Sequence, residues 1–275
     1  MHTSTFKGLS DDLVFKHVFS KKEILVDFLN SYFEFFGENK HVVDVTISTD
    51  DPIKGNKRKH KVYFGDIIAY LNTGEKVSIE LYQHFGEKEF KKSLAYISRK
   101  FANQLERGQD YKEAKKVTGI NIILHNHYKG NKNLVSDYIF RDRYDYTNES
   151  YEYLEMVLLN LDKINNIVYS KDNRYMRWLY MFKTTDRSKL REIAKGDEKM
   201  ELAIKYMEDF LNDEEVQDVY DKITDIEDNA RTEGVIEGAR NNSIKTAKNL
   251  LKLGLSKKDI STATGLAIEE IESLQ

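Results

Sequence analysis

The chain has 275 residues, of which 40% are hydrophobic and 32% charged, so it can bury a sizeable core under a strongly polar surface. Its formal net charge of −3 argues against a uniformly basic coat, so any nucleic-acid binding must come from local patches. Cysteine is absent, which excludes disulfides, cysteine nucleophiles and thiolate metal sites. The start of the chain has no apolar signal segment and no apolar run is long enough to span a bilayer, so we expect a cytoplasmic protein.

The first predicted element is an N-terminal helix. Ser10 is a favourable N-cap, and Asp11 and Asp12 follow it in the first turn, where the helix dipole favours negative charge. Apolar residues recur at helical spacing as far as Phe36, and Gly37 ends the pattern. Asp12 is either a simple helix-start residue or, if this helix packs beside the strands that follow, a third acidic group of a site there.

A strand and a β-hairpin are predicted next. Val42 to Ser48 alternates as a strand, and the basic loop Asp51 to Lys61 after it either meets a phosphate backbone or is only solvated. The hairpin joins a β-branched and aromatic run, Val62 to Leu71, to an alternating run, Lys76 to Tyr82. The turn signal Asn72-Thr73-Gly74 lies between them.

Two carboxylates lie in the middle of this hairpin, Asp66 on its first strand and Glu80 on its second. Carboxylates are depleted inside strands, and two on paired strands repel unless a cation lies between them. A divalent metal ion is the simplest candidate, and the alternative is that both side chains only face solvent. The metal-site reading is favoured by the next segment, a strong helix from Glu87 to Gly108 with many basic residues, since acids beside a basic helix suit phosphodiester cleavage. These basic residues are Lys88, Lys91, Lys92, Arg99, Lys100 and Arg107.

Further strands complete a predicted mixed α/β core of five or six strands with helices on its faces. Val117 to His125 is typical of a buried strand, and Tyr138 to Tyr144 and Tyr151 to Leu159 are predicted strands as well. His125 and His127 share a face by alternation. They either bind a metal or lie at the core or rim, and no third ligand stands out nearby.

After about Asn173 the pattern becomes helical, which suggests a core at 1–172, a helical extension at 173–224 and a C-terminal region at 225–275. The C-terminal region has small residues, Ala230, Gly234 and Gly238, on one face of a helix, and this suits either close helix packing or a frayed helix. Its short final helices resemble a helix-turn-helix, but the last is acidic and fits a DNA groove poorly. We therefore predict a homodimer through these helices. The predicted helices are Arg174 to Lys183, Asp197 to Leu211, Glu214 to Ile226, Asp225 to Leu253, Lys257 to Ala263 and Ala267 to Leu274.

Several motifs in this order resemble the Rpn family of recombination-promoting nucleases, also called PD-(D/E)XK nuclease family transposases. The likeness covers essentially the whole chain, and it is the order and spacing of the motifs that make it specific. The motifs are Asp12-Leu-Val-Phe-Lys16-His-Val-Phe19, Gly65-Asp66, Ile79-Glu80, Gln104-Leu-Glu-Arg-Gly108-Gln-Asp-Tyr111, Trp178-Leu-Tyr-Met-Phe182, and the Glu-Gly pairs at 233–234 and 237–238 with the tail after them.

The resemblance implies a restriction-endonuclease-like core, a sheet flanked by helices, that cleaves DNA with Mg²⁺ or Mn²⁺. It implies that Asp66 and Glu80 hold the metal and that Asp12 contributes from the first helix. The residues expected to contact DNA are Lys16, Lys91, Lys92 and Arg99.

The chain departs from the family pattern two residues after Glu80. The family has Lys or Gln there to orient the attacking water, whereas this chain has Tyr82, with Gln83 one place late. A one-residue shift turns a strand side chain to the other face. Either a β-bulge at Leu81-Tyr82 restores Gln83, or Tyr82 takes the role, or activity is lost and the chain is a non-catalytic DNA- or protein-binding regulator. Lys92 stands where the family has arginine, so it can meet phosphate only as a point charge.

Overall fold

The computed structural model of the chain describes residues 7–49, 67–130, 132–140, 142–144, 153–166 and 170–274, without the side chains at 48, 49, 227–232, 235 and 236. Asp66 and the basic loop from Asp51 to Lys61 lie outside the described residues. The strands are β1 (Val45–Thr49), β2 (Ile67–Leu71), β3 (Lys76–Phe85), β4 (Val117–Asn126), β5 (Val135–Ile139) and β6 (Leu154–Asn160). The α-helices are α1 (Asp12–Phe19), α2 (Lys22–Phe35), α3 (Glu87–Ala102), α4 (Arg174–Lys183), α5 (Arg187–Ala194), α6 (Glu198–Leu211), α7 (Glu214–Lys252), α8 (Lys257–Thr264) and α9 (Ile268–Glu272).

The described strands form one mixed sheet of six strands in the order β1-β2-β3-β4-β6-β5. β1, β2 and β3 pair antiparallel, β3, β4 and β6 pair parallel, and β5 closes the far edge antiparallel to β6. β4 is buried continuously from Val117 to Leu124, as expected for a parallel strand that is covered on both faces. The predicted α/β class with helices flanking a sheet is confirmed.

Helix α3 packs on β3, β4 and β6. At one point the helix approaches the sheet closely. A Cβ atom at Gly119 of β4 would lie 2.5 Å from Cγ2 of Ile97 on α3, so only glycine leaves room for the helix at this point. Beside it, the buried Ser93 hydroxyl of α3 donates to Oδ1 of Asn121 at 2.7 Å, and the Asn121 amide donates to the carbonyl of Val157 at 3.1 Å. One buried amide therefore links α3 to β4 and β6.

A second group of helices, α1, α2 and α4 to α6, packs around aromatic side chains. The rings of Phe19 and Trp178 lie 5.6 Å apart, and those of Phe28 and Phe182 lie 6.0 Å apart. Trp178 also donates from Nε1 to the carboxylate of Asp27 at 3.0 Å. This contact ties α4 to α2, and α4 begins and ends at the residues predicted from the sequence, Arg174 and Lys183.

The N-terminal helix differs from the prediction in two ways. The N-cap is Asp11 and not Ser10, because the Asp11 carboxylate accepts the backbone N–H groups of Leu13 and Val14 at 3.1 and 3.3 Å. The single long helix is in fact two, since Lys21 has an extended backbone between α1 and α2. The apolar periodicity continues through this break and therefore hides it.

Three further boundaries were predicted wrongly. The helix after the hairpin ends at Ala102. The side-chain amide of Gln104 then binds the backbone of Lys115: its Nε2 donates to the Lys115 carbonyl at 2.8 Å, and its Oε1 accepts the Lys115 N–H at 3.0 Å. The strand predicted at Tyr138 to Tyr144 lies earlier in the chain, as β5 at Val135–Ile139. The two helices predicted between Glu214 and Leu253 form the single helix α7.

The chain divides into two compact units, Met1–Asp213 and Glu214–Gln275. In the second unit, the end of α7 packs with α8 and α9 around a small core. Ser256 caps α8, and Gly265 ends that helix at φ 73°. The core side chains are Ala247, Ile260, Leu266 and Ile271. None of the helices in the described ranges is both long enough and apolar enough to cross a membrane.

Candidate active site

A cleft of about 680 Å³ lies among the start of α1, the β2–β3 hairpin and the first turns of α3. It brings together six of the residues that the sequence marked as functional, and it adds others from the same elements. The lining residues are Asp12, Phe15, Lys16, Ile67, Ile79, Glu80, Leu81, Tyr82, Gln83, His84, Lys88, Glu89 and Lys92.

Glu80 lies half-buried on β3, and its Oε1 atom is inaccessible to solvent. Its ladder partner on β4 is Asn121, whose amide anchors α3 to the sheet. The strand that carries the carboxylate is thus fixed on one side by a parallel neighbour and above by a helix. Such a position is stable enough to hold a charged group in one place.

The hairpin register is antiparallel, as predicted, over the residues that the structure describes. Ile67 pairs with Ile79, and Tyr70 pairs with Lys76. Gly74 permits the turn with φ 84°. Ile67 follows Asp66 in the chain, Ile79 precedes Glu80, and both isoleucines line the cleft.

Asp12 is the first residue of α1 and faces the cleft. Its carboxylate forms an ion pair with Lys16 one turn later at 2.8 Å. The charge of each is therefore balanced by the other in this structure. Both are predicted site residues, and both lie at the same end of the cleft.

Tyr82 is part of the hydrophobic core. It is 7% exposed, and it packs with Phe85, Ile97 and Ile123. Its ring meets that of Phe85 edge-on at 5.1 Å, and its hydroxyl is inaccessible to solvent. The tyrosine thus fills the space under α3 and presents no accessible polar atom to the cleft.

Gln83 is exposed, and its Nε2 donates to the backbone carbonyl of Ser10 at 2.5 Å. The first of the three alternatives, a β-bulge at Leu81-Tyr82, is not found between β3 and β4. Lys76 pairs with Val117 and Phe85 pairs with Asn126, so ten residues of β3 face ten of β4 with no extra residue. Gln83 reaches the cleft wall without a bulge, because it points toward the start of α1.

The basic residues of α3 divide into two groups. Lys88 and Lys92 line the cleft. Lys91 points elsewhere and pairs with Glu87 at 2.7 Å, and Arg99, in the last turn of the helix, does not line the cleft either. The helix therefore turns one row of lysines toward the carboxylates of β3 and α1.

The family model for PD-(D/E)XK nuclease family transposases matches residues 9–232. The chain belongs to this family. The matched segment contains all elements that line the cleft, from α1 to α3. Neither the curated proteins nor the solved structures contain a match to the chain.

The six-stranded mixed sheet with flanking helices agrees with the restriction-endonuclease-like fold of PD-(D/E)XK nucleases. Nucleases of this kind generally use divalent metal ions. Carboxylate oxygens are the ligands that hard cations prefer, and within the described residues the cleft offers those of Asp12 and Glu80. The described residues contain no group of three or more acidic or histidine side chains close enough to hold a metal ion, so the described residues do not by themselves form a metal site.

Among the described residues, the cleft is lined by three carboxylates and three ammonium groups. Of its three carboxylates, Glu89 is already used to cap α3, because it accepts the Gly86 backbone N–H at 3.0 Å. Backbone hydrogen bonds lower the pKa of Glu89, so it stays ionised. Asp12 and Glu80 remain as the acids available for chemistry. The opposing ammonium groups are those of Lys16, Lys88 and Lys92.

Sequence reasoning missed His84 as a cleft residue and did not single out Lys88. Lys88 precedes Lys92 by one helical turn, so helical periodicity could have found it. His84 shares the surface with His125 and His127, and its ring centroid lies 5.4 and 5.6 Å from theirs. No local signal shows this, because the contact depends on the parallel pairing of β3 with β4 across many residues.

Proposed function

We propose that the chain is a Mg²⁺-dependent DNA endonuclease, which hydrolyses phosphodiester bonds in recombination, mobile-element movement or defence against foreign DNA. The observation that carries this proposal is the half-buried Glu80 opposite Lys88 and Lys92, in the cleft of a PD-(D/E)XK family chain. A carboxylate and ammonium groups in one cleft suit a substrate that brings both a phosphate and a cation.

In this proposal Asp66 and Glu80 hold the metal. Support comes from the hairpin register, in which Ile67 pairs with Ile79. A ladder that continued by one more residue in this register would place positions 66 and 80 opposite each other. Adjacent positions on paired strands are close enough for two carboxylates to share one ion.

The bound ion would supply polarisation of the scissile phosphate and a lowered pKa of a coordinated water. The residues of the chain do the remaining work. Lys88 and Lys92 attract the phosphate oxygens from the α3 side, and Asp12 supports the acidic side from α1. Lys16 holds Asp12 in place through their ion pair.

We assign the water-orienting position to Gln83 and not to Tyr82. The Tyr82 hydroxyl is inaccessible to solvent, whereas the Gln83 amide is exposed on the cleft wall. Its Nε2 is engaged with the Ser10 carbonyl, which orients the amide, and an amide carbonyl can accept a hydrogen bond from water. The family role would thus be retained one residue later.

The test is a nicking assay on supercoiled plasmid, with Mg²⁺, with Mn²⁺ and with chelator, for wild type and for Glu80→Ala and Asp66→Ala. Each substitution should lower the rate by orders of magnitude, because each removes a metal ligand. Asp44→Ala is the matched control, since Asp44 is an exposed carboxylate that pairs with Lys22 at 2.9 Å outside the cleft. Equal background nicking by wild type and all variants would refute the enzyme.

The alternative is a DNA- or protein-binding regulator with weak or no catalysis on the same scaffold. The burial of Tyr82, at the position where the family has Lys or Gln, favours it. Under this alternative the chain binds DNA in a Lys92-dependent manner, yet nicks plasmid with neither ion. The two functions are therefore separated by measuring binding and nicking on the same preparation.

We also propose that the chain forms a homodimer through residues after about Thr224. In α7, Ile226 is 67% exposed. A Cβ atom added at Gly234 or at Gly238 would have no neighbour within 4 Å, so a second helix could approach closely there. The side chain of Ala230 lies outside the described ones. Light scattering on the full chain and on a chain ending near Asp225 tests this, and two monomers at micromolar concentration would refute it.

A further inference from the structure

Three exposed histidines form a row at the carboxyl ends of β3 and β4. The ring of His84 lies 5.4 Å from that of its ladder partner His125, with 28° between the ring planes. It lies 5.6 Å from the ring of His127, with 22° between the planes. All three side chains are exposed, so the row is a surface feature and not part of the core.

The row is continuous with the active-site cleft. His84 lines the cleft, as do Gln83 before it and Lys88 after it. His125 and His127 follow along the end of β4. A polyanion that occupies the cleft and leaves it on this side would therefore pass over the imidazoles.

The outer end of the row carries a carboxylate whose charge is already compensated. Asp162 lies 3.6 Å from Nδ1 of His125, accepts the Asn126 backbone N–H at 2.8 Å and pairs with Lys183 at 3.3 Å. Partial burial would raise the pKa of Asp162, but its hydrogen bonds with the Asn126 backbone and with Lys183 bring this pKa below its ordinary value, so the group stays ionised. Protonating all three imidazoles would leave this surface with an excess of positive charge.

We propose that His84, His125 and His127 form a second phosphate-binding site for the DNA that occupies the cleft, and that this site binds phosphate when its imidazoles are protonated. The proposal rests on the proposed function. Imidazole ordinarily titrates near pH 6.5, and cations this close together repel one another unless an anion lies among them. A backbone phosphate supplies that anion, so DNA binding and proton uptake promote each other.

Among the described residues, the charged groups around the row come from five elements. Its outer end faces Asp162, in the turn after β6, and Lys183 of α4. Its inner end faces the cleft, where acidic and basic groups are equal in number. These cleft groups are Asp12, Glu80, Glu89, Lys16, Lys88 and Lys92. Lysines and ionised carboxylates ordinarily keep their charge between pH 8 and pH 5.5, so a comparison of these two pH values tests the imidazoles.

The experiment measures binding of the full chain to a labelled duplex oligonucleotide by fluorescence anisotropy, in chelator, at several salt concentrations and at pH 8 and pH 5.5. Chelator prevents cleavage and removes any metal from the imidazoles. Between the two pH values the logarithmic salt slope of wild type should steepen by about one to two, since each added phosphate contact contributes about 0.9. A variant with His84, His125 and His127 all changed to Gln should lose this steepening.

His41→Gln is the matched control, because His41 is another exposed histidine and does not line the cleft. It should keep the wild-type steepening. A second measurement is calorimetric binding at pH 6.5 in buffers of different ionisation enthalpy, where wild type should take up protons and the triple variant should not.

Two results would overturn the inference alone: a triple variant that keeps the wild-type steepening, or wild-type binding without proton uptake. Tighter binding of a single strand than of the duplex, lost in the triple variant at both pH values, would show base stacking and would also overturn it. If wild type does not bind the duplex at pH 8 and does not bind it at pH 5.5, both the proposed function and the inference are refuted.

Discussion

The division of the α3 lysines into two rows leads to a prediction with an internal control. Lys92→Gln and Lys91→Gln remove the same charge from neighbouring exposed positions of one helix, and Gln keeps a helix propensity close to that of Lys. The Lys92 ammonium lies in the cleft, 5.8 Å from the ring of Tyr82 and 5.1 Å from that of Tyr96. Lys91 is paired with Glu87 outside the cleft.

The size of the effect follows from counterion release. Loss of one phosphate contact lowers the logarithmic salt slope by about 0.9, so over a fourfold rise in salt the affinity of wild type should fall about 3.5-fold more than that of Lys92→Gln. Lys91→Gln should keep the wild-type slope. The measurement is anisotropy with a labelled duplex at pH 8, from about 50 to about 200 mM salt, with unfolding midpoints to show that both variants remain folded.

Equal slopes for all three proteins would place the DNA away from the cleft. An equal loss in both variants would show that DNA follows the whole surface of α3, and then the cleft-facing lysines have no special role. Either result refutes the assignment of the phosphate path to the row that contains Lys88 and Lys92.

Three other predictions concern the site and the fold. Tyr82→Phe should leave nicking within about twofold, because the Tyr82 hydroxyl is inaccessible to solvent. Gln83→Ala should lower nicking about tenfold or more, because it removes the amide proposed to orient the attacking water. A larger loss in Tyr82→Phe than in Gln83→Ala in a plasmid assay would return this role to Tyr82. Lys116→Met removes the ammonium group that pairs with the nearly buried Glu155 at 3.0 Å, so it should lower the free energy of unfolding in urea by about 3–5 kcal/mol. Changing both residues to Met should lower this free energy far less. Equal losses of stability in the single and double variants would contradict this account of the pair. The pKa of His17 is lowered to about 4, mainly by burial, so the stability gained from a neutral imidazole should be lost as pH falls from about 6.5 toward 4; unfolding midpoints of wild type and His17→Phe that decline in parallel would show another group to be responsible.

Elements with strong local signals could be predicted from the sequence. The helix Arg174–Lys183 has an Asn173 cap and an uninterrupted apolar face, and the hairpin has its turn glycine, so both were located correctly. The choice between Ser10 and Asp11 as N-cap was beyond the sequence, because both side chains cap helices almost equally well. The N-cap is the residue whose side chain reaches the backbone N–H groups of the first turn of α1, and this residue is Asp11.

Contacts between distant segments could not be predicted in the same way. The hydrogen bond from Gln83 to the carbonyl of Ser10 joins residues 73 apart in sequence. It holds Gln83 at the cleft, although Gln83 stands one residue after the position where the family has Lys or Gln. The neighbours of His84 depend on which strand pairs with β3 and in which direction. Alternation within one strand indicates a face, but it does not indicate which other segment supplies that face with partners.

Gly119 limits how closely the lysine-bearing helix α3 can approach the sheet. A Cβ atom there would lie only 2.5 Å from Cγ2 of Ile97, well inside van der Waals contact, so either the Ile97 side chain or the helix would have to shift. Where the helix shifts, the ammonium groups at its start move with it. Under the proposed function, variants at this glycine would then be scored in a genetic screen as failing to hold DNA, although Gly119 does not line the cleft, and a map of the substrate path drawn from such a screen would wrongly run through the middle of the sheet.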